Sequence, residues 1–450
     1  MGTVKRIGLL ALLACAACDP QRADWGLDAV EGMSTPPDEP ELGCGLQLEP
    51  AAKASERAEC SYRAGTHAGE SLGNSAAVLA KVPIRHVIIL MRENRSFDHL
   101  LGKLHERGQP GVEAVPDSYS NPDASGVAVF PAHATSTCLE HDPGHQSESM
   151  RRCVDGGKMD GFVQNAAATT PTDGHFVMDY YDEQDLPFYY WLARSYAISD
   201  RHFAPNVSGT FANRAFLLFA TNAGVVDTGI VFPPPNTPSL LQLLMNAGFT
   251  WAAYSDGAPF SGSLDWDHSF PGVRRLQQLY DDLDRGSLPN VAFVDGVEDE
   301  DDDHPTADLQ LGEARVKAVY EHAITSPQWQ RLAIFWTYDE AGAFADHVAP
   351  PRGCLPLPAR SPFTELGPRI PFVAISAWAR RNYASHVPHD HTAMTRFIEA
   401  IFDLPALTAR DANSDGLLDL FDFSCGRELS GPPPPEVGSG GCARLGTPPG

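Results

Sequence analysis

Residues 82–91 read VPIRHVIILM, a β-branched run that ends in five successive apolar residues. Such a run has no alternation, so it reads as a strand buried on both faces, the signature of a parallel sheet under helices. Further strand patterns occupy 249–254, 291–294, 332–338 and 370–375. Helical patterns lie between and around them, at 186–195, 212–220, 239–247, 312–325 and 393–402. Strands alternating with helices predict an α/β fold, a central mostly parallel sheet with helices on both faces. In such sheets ligands bind beyond the carboxyl ends of the strands, so the residues after each strand carry the functional information.

Three segments stand out there. Arg92-Glu93-Asn94 follows the first strand, Asp339-Glu340 follows 332–338, and His304 closes the acidic run 298–303. Oxygen donors from Glu93, Asn94, Asp339 and Glu340 suit a hard divalent cation. A nucleophile is supplied by 206–214, NVSGTFANR, in which small residues lead into a helix and place Thr210 at or near its N-cap. A helix N-terminus favours phosphate, and a nearby cation lowers a hydroxyl's pKa, so Thr210 reads as both a cap and a phosphoryl acceptor. Neither a P-loop nor His-Glu-x-x-His occurs in the sequence.

These residues resemble the bacterial phosphoesterase family, which contains phosphatidylcholine-type phospholipases C and an acid phosphatase. The likeness runs from VIILMRENRSFDH (87–99) through GKMDGF (157–162), YYD (180–182) and DLPFYY (185–190). It continues in DHP (303–305), TYDE (337–340), DHV (346–348), HT (391–392), RFIE (396–399), LTARDA (407–412) and FDF (421–423). The resemblance implies an alkaline-phosphatase-like fold. It implies that Glu93, Asn94, Thr210, Asp339 and Glu340 bind one divalent metal ion and that Thr210 is the nucleophile. It sets Asn213, His304 and His347 against the substrate, with His304 and His347 as catalytic acid–base groups. The family often has two prolines around the nucleophile; here they are replaced, while the Thr and the Asn-Arg spacing remain, which predicts a less rigid loop. The implied activity is hydrolysis of phosphate esters, of phospholipase C or acid phosphatase type, through a phospho-threonine. The other reading is a non-catalytic acidic surface lipoprotein that binds calcium or a partner on a degenerate scaffold; the intact donor set argues against it.

The chain ends predict export. Lys5-Arg6, a short apolar run and Leu12-Leu13-Ala14-Cys15 resemble a lipoprotein signal, with Cys18 as a second lipidation site. The expected layout is a signal peptide with lipobox at 1–15, a low-order tether at 16–80, the catalytic domain at 81–425 and a Pro/Gly-rich tail at 426–450. A cell-envelope lipoprotein, or a secreted protein, meets its membrane through the lipid, and its substrate is a small phosphate ester or phospholipid. A net charge of −25 repels phosphate backbones and excludes nucleic acid as a general partner. Export also permits disulfides, and the short-loop pairs Cys44–Cys60 and Cys138–Cys153 are plausible.

Other clusters are weaker. The segment 386–391, HVPHDH, suggests a separate transition-metal site, although Pro388 breaks helical spacing and His391 reads rather as part of the cleft. His141 and His145 flank Pro143-Gly144, which forbids a helix, so that stretch reads as a loop. Asp411, Asn413, Asp415, Gly416 and Asp422 have the spacing of a calcium loop, whose bland alternative is a polar turn. The six acids of 298–303 read as a solvated loop.

Overall fold

The computed structural model describes residues 44–49, 51–225, 237–257, 273–356, 364–425, 428–442 and 445. The lipobox and the first part of the expected tether lie outside these residues. Eight strands form the main sheet: β1 His86–Arg92, β2 Ala197–Ser199, β3 Trp251–Tyr254, β4 Val273–Arg274, β5 Val291–Asp295, β6 Leu332–Tyr338, β7 Phe372–Ser376 and β8 Tyr383–Ser385. Their order across the sheet is β8-β2-β7-β6-β1-β5-β3-β4. All pairings are parallel except those of β7, which runs against both β6 and β2.

Every residue of β5, β6 and β7 is buried, which requires cover on both faces. Helices supply that cover; Thr210–Phe219 packs with His391–Phe402, and Leu276–Arg285 with Leu309–Thr325. The α/β expectation therefore holds, and the long strands fall within a few residues of where the sequence put them. Missed were β2, β4 and β8, at two or three residues too short to show a period.

The described part of the expected tether is built into the domain. Three short helices, Ala54–Ala58, Ala68–Ser71 and Ala76–Leu79, precede β1. The buried Arg57 guanidinium donates to Ala52 O and Ser71 O and pairs with Asp415, tying this segment to one more than 350 residues away. The disulfides correct the short-loop pairs: they are Cys44–Cys425, Cys60–Cys354 and Cys138–Cys442, with Cys153 free and buried. Each closes a long loop and fastens a chain end to the body. Residues 428–442 contain neither helix nor strand, yet are held down by Tyr320 OH donating to Pro432 O and by the Cys138 link.

The calcium loop is corrected too. The Asp411 carboxylate accepts from Leu407 N and Thr408 N, capping a helix turn. Asp415 faces Arg57 and His389, and Asp422 accepts from Ser424 N. Their carboxylates turn to different partners, where a calcium loop would converge them. Nor is 298–303 a wholly solvated loop. Asp301, Asp302 and Asp303 are buried, with Asp303 bound by Arg92, Tyr189 and Tyr338. No helix among the described residues is long and apolar enough to cross a membrane.

Candidate active site

The parallel register brings the acids together. Arg92 pairs with Tyr338 and Met91 with Asp295, so β1, β5 and β6 all end at one edge. Just past that edge Asp339 N donates to Arg92 O, and Glu93 N donates to Asp302 O. Glu93, Asn94, Asp339 and Glu340 are all buried there. Gly342 lets the two loops close: its φ is +60°, and a Cβ on it would come within 2.4 Å of Asn94 O.

Thr210 is the first residue of the helix Thr210–Phe219, whose N-cap Gly209 has no side chain to cap the first-turn amides. Its hydroxyl donates to Glu93 Oε2 at 3.4 Å, and its nearness to Asp339 works against the upward push of burial on that carboxyl's pKa. Arg214, one turn further on, pairs with Glu93 at 3.3 Å, Asp295 at 2.6 Å and Asp339 at 3.4 Å. Neither Arg214 nor Asp295 is marked by sequence pattern as part of the site; the fold brings them there.

Asn213 is the correction within this helix. It does not face substrate space: its amide nitrogen donates to Ser208 O and Gly209 O, and its oxygen accepts from Asn206 N. Those bonds hold the 206–209 backbone where the family's prolines are missing.

His145, read from sequence only as a loop residue, is the second miss. Its Nε2 lies 3.3 Å from Asn94 Nδ2 and 3.8 Å from Glu340 Oε1. His304 sits beside it, ring centroids 6.1 Å apart, with Asp142 between their nitrogens. The Pro143-Gly144 turn that forbids a helix is what folds His145 back, and Pro143 O accepts from its Nδ1 at 3.0 Å. His347 belongs to another group: Asp98 Oδ2 lies 2.7 Å from its Nδ1, and Arg369 braces Asp98 and Asp346. Its Nε2 is buried without a hydrogen-bond partner. His391 supports the acids from behind, Nε2 to Asp339 O at 2.9 Å, and burial pulls its ring down to about 4.

Electrostatics show what the pocket lacks. Burial raises the pKa of Glu93, Asp339 and Glu340, with Glu340 pushed up to about 8, and the Asp339 charge adds to the rise of Glu93 and Glu340. For His145, burial pulls down but Glu340 and Asp142 outweigh it, raising the ring to about 10. The pocket sets four carboxyl groups, Glu93, Asp295, Asp339 and Glu340, against two cationic side chains, Arg214 and His145. Two oxygens in it, Asn94 Oδ1 and Glu340 Oε1, are buried with no hydrogen-bond partner, a costly state for polar atoms. A donor set of three carboxylates, an amide oxygen and a hydroxyl fits a hard divalent cation.

Comparison with known proteins identifies the family. The Phosphoesterase family profile matches residues 84–405. Non-specific phospholipase C1 of Arabidopsis thaliana is 30% identical over 379 residues, covering 73% of this chain and 69% of its own. Non-hemolytic phospholipase C of Burkholderia pseudomallei is 28% identical, covering 76% and 59%. Among solved structures, phosphonate monoester hydrolase of Agrobacterium radiobacter covers 71% of this chain and 74% of its own at 10% identity, with a TM-score of 0.36. With the profile spanning most of the sheet and both loops that carry the buried acids, the chain belongs to the Phosphoesterase family and is a phosphoric ester hydrolase.

Proposed function

We propose that this hydrolase cleaves its ester by attack of Thr210 Oγ on phosphorus, and that its substrate is a phospholipid or a related phosphate diester. The observation that carries the reading is the Thr210 hydroxyl 3.4 Å from Glu93 Oε2, among buried oxygens of which Asn94 Oδ1 and Glu340 Oε1 have no partner. Glu93, Asn94, Thr210, Asp339 and Glu340 would hold a divalent cation; when bound, it supplies positive charge that favours the threonine alkoxide and offsets phosphoryl charge.

The chain's own groups do the rest. The uncapped first turn of Thr210–Phe219 offers N–H groups to phosphate oxygens. Asn213 fixes the loop that aims Thr210. As the Thr210 Oγ–phosphorus bond forms, the bond to the leaving oxygen breaks, and a histidine gives that oxygen a proton. His347 suits this role, because Asp98 holds Nδ1 and leaves Nε2 for proton transfer. Water then attacks phosphorus, the histidine takes its proton, and Thr210 leaves. His145 stands beside Glu340, and His304 beside His145, as hydrogen-bonding partners for the phosphoryl oxygens.

The diester preference is supported by the relatives, which are phospholipases C. Three disulfides suit an oxidising compartment, in line with an exported, lipid-anchored chain. The test is hydrolysis of p-nitrophenyl phosphorylcholine against p-nitrophenyl phosphate, with and without chelator. Faster, chelator-sensitive turnover of the choline diester is expected; faster turnover of the monoester removes the phospholipase reading, and full activity after exhaustive chelation removes the cation.

A further inference from the structure

Two sequence motifs that the catalytic edge leaves unused meet elsewhere in the fold. The histidine-rich segment 386–391 and the acidic turn 411–422 come together on the wall of a cavity of about 590 Å³, which the Cys60–Cys354 disulfide also lines. His389 Nε2 lies 3.4 Å from Asp415 Oδ1, and a carboxylate oxygen of Asp419 lies within 4.8 Å of both ligand atoms. All three side chains are enclosed: His389 is 2% exposed and Asp419 7%, and the Asp415 side chain is 9% exposed.

The local partners leave one oxygen over. Asp419 Oδ2 accepts from Ser385 Oγ and, at 3.5 Å, from Tyr383 OH, whereas the buried Oδ1 has no partner. Of the nearby cations, Arg57 engages Asp415 through Oδ2 and Arg410 engages Asp390. Asp415 thus spans Arg57 and His389, while Asp419 has no cationic side chain bonded to its carboxylate and keeps one oxygen unpartnered. The other imidazole nitrogen is held: Nδ1 lies 3.2 Å from Ser199 Oγ, the supporting bond that metal-binding histidines generally make. A tetrahedral zinc ion with bonds of ~2.0–2.1 Å sets its ligand atoms roughly 3.3 Å apart, close to the His389–Asp415 separation.

We propose that His389, Asp415 and Asp419 form a second metal site, for a divalent transition cation of the zinc class, with a remaining coordination position open to the cavity. One imidazole and two carboxylates suit such an ion better than calcium, which prefers oxygen alone. The ion joins the segment after β8 to the 413–420 turn and, through the Arg57–Asp415 pair, to the segment before β1. Its role is to fasten these pieces, and it is independent of the phosphoryl chemistry proposed above.

The test is zinc content by mass spectrometry after loading the full chain with Zn²⁺ and removing free metal. Wild type should retain one equivalent more than Asp419→Asn, while the variant hydrolyses p-nitrophenyl phosphate within about twofold of wild type. Zn²⁺ should raise the melting temperature of wild type more than that of the variant. Should Asp419→Asn not fold, His389→Gln carries the same comparison. In wild type itself, the ¹⁵N resonance of His389 Nε2 should shift on Zn²⁺ addition. Equal zinc content in wild type and variant, or an unmoved His389 resonance, overturns the site.

Discussion

His347 Nδ1 lies 2.7 Å from Asp98 Oδ2, and the other oxygen of Asp98 is held at 2.7 Å by Arg369. Burial alone would lower the histidine's pKa, but the Asp98 hydrogen bond and charge outweigh it and raise it. Burial would likewise raise Asp98, yet Arg369 and then His347 bring it below the usual carboxylate range. The imidazolium therefore persists above the ordinary histidine value of about 6.5. If His347 is the general acid, the alkaline limb of kcat should fall at a pH above about 6.5, and Asp98→Asn should move that limb to lower pH. His347→Asn should cost ~100- to 10,000-fold in kcat. A pH–rate profile that is identical in wild type and Asp98→Asn contradicts the assignment.

The same pair sets a stability signature. For His347 the folded pKa exceeds the unfolded one, so its stabilisation is complete below about pH 6.5 and is lost as pH rises through the folded value. For Asp98 the folded pKa is depressed, so its stabilisation is present above about pH 4 and is lost as pH falls through the lower value. Denaturant midpoints measured from pH 6 to 9 should decline in wild type through a step that His347→Gln flattens. Parallel curves for the two proteins count against the pair.

Asn213→Ala separates positioning from contact with substrate. The change leaves Asn206 N and the Ser208 and Gly209 carbonyls without their side-chain partner. Each unsatisfied buried group costs about 1–3 kcal/mol, so the melting temperature should drop. A loop displaced by about 1 Å should lower kcat ~100-fold, with KM changed much less. A large KM rise with kcat intact would return Asn213 to the substrate side.

The long strands were legible because buried parallel strands are continuous apolar runs, and the acids after β1 and β6 were legible because such sheets put their sites at strand ends. His145 was not, because its approach to Glu340 depends on how the Pro143-Gly144 turn folds back, a path that local pattern does not encode. Arg214 was visible only as spacing; its partners Glu93, Asp295 and Asp339 come from the ends of three strands far apart in the chain. The disulfides were misread for the same reason: loop length favours near pairs, while the fold brings Cys44 to Cys425 and Cys60 to Cys354. The docked segment before β1 escaped notice because its helices are four or five residues long and are fixed by Arg57 and the disulfides instead of by an apolar stripe.

Cys153 and the bridges give a chemical check. Burial pushes the Cys153 thiol above its ordinary range, so it is neither exposed nor ionised near neutral pH. Alkylation of the native protein should leave Cys153 unlabelled in peptide mapping, and label it only after denaturation. Replacing Cys60 and Cys354 together by Ser should destabilise the chain by about 2–5 kcal/mol in denaturant titration.

Thr210 offers the sharpest separation of nucleophile from helix cap. Thr210→Ser keeps a hydroxyl at the first helical position, near Glu93 and Asp339, so it should retain activity within about tenfold. Thr210→Val keeps the shape and loses the oxygen, and loss of a nucleophile typically costs on the order of 10⁵- to 10⁶-fold. Gly209, not Thr210, is the N-cap, so neither change removes a capping bond and both variants should fold. Rapid quenching with a radiolabelled phosphate ester should trap label on residue 210 in wild type and in the Ser variant, and none in the Val variant. Label recovered on a histidine, or undiminished turnover by Thr210→Val, would move the covalent chemistry to another side chain while leaving the buried acids and Arg214 where the three strand ends put them.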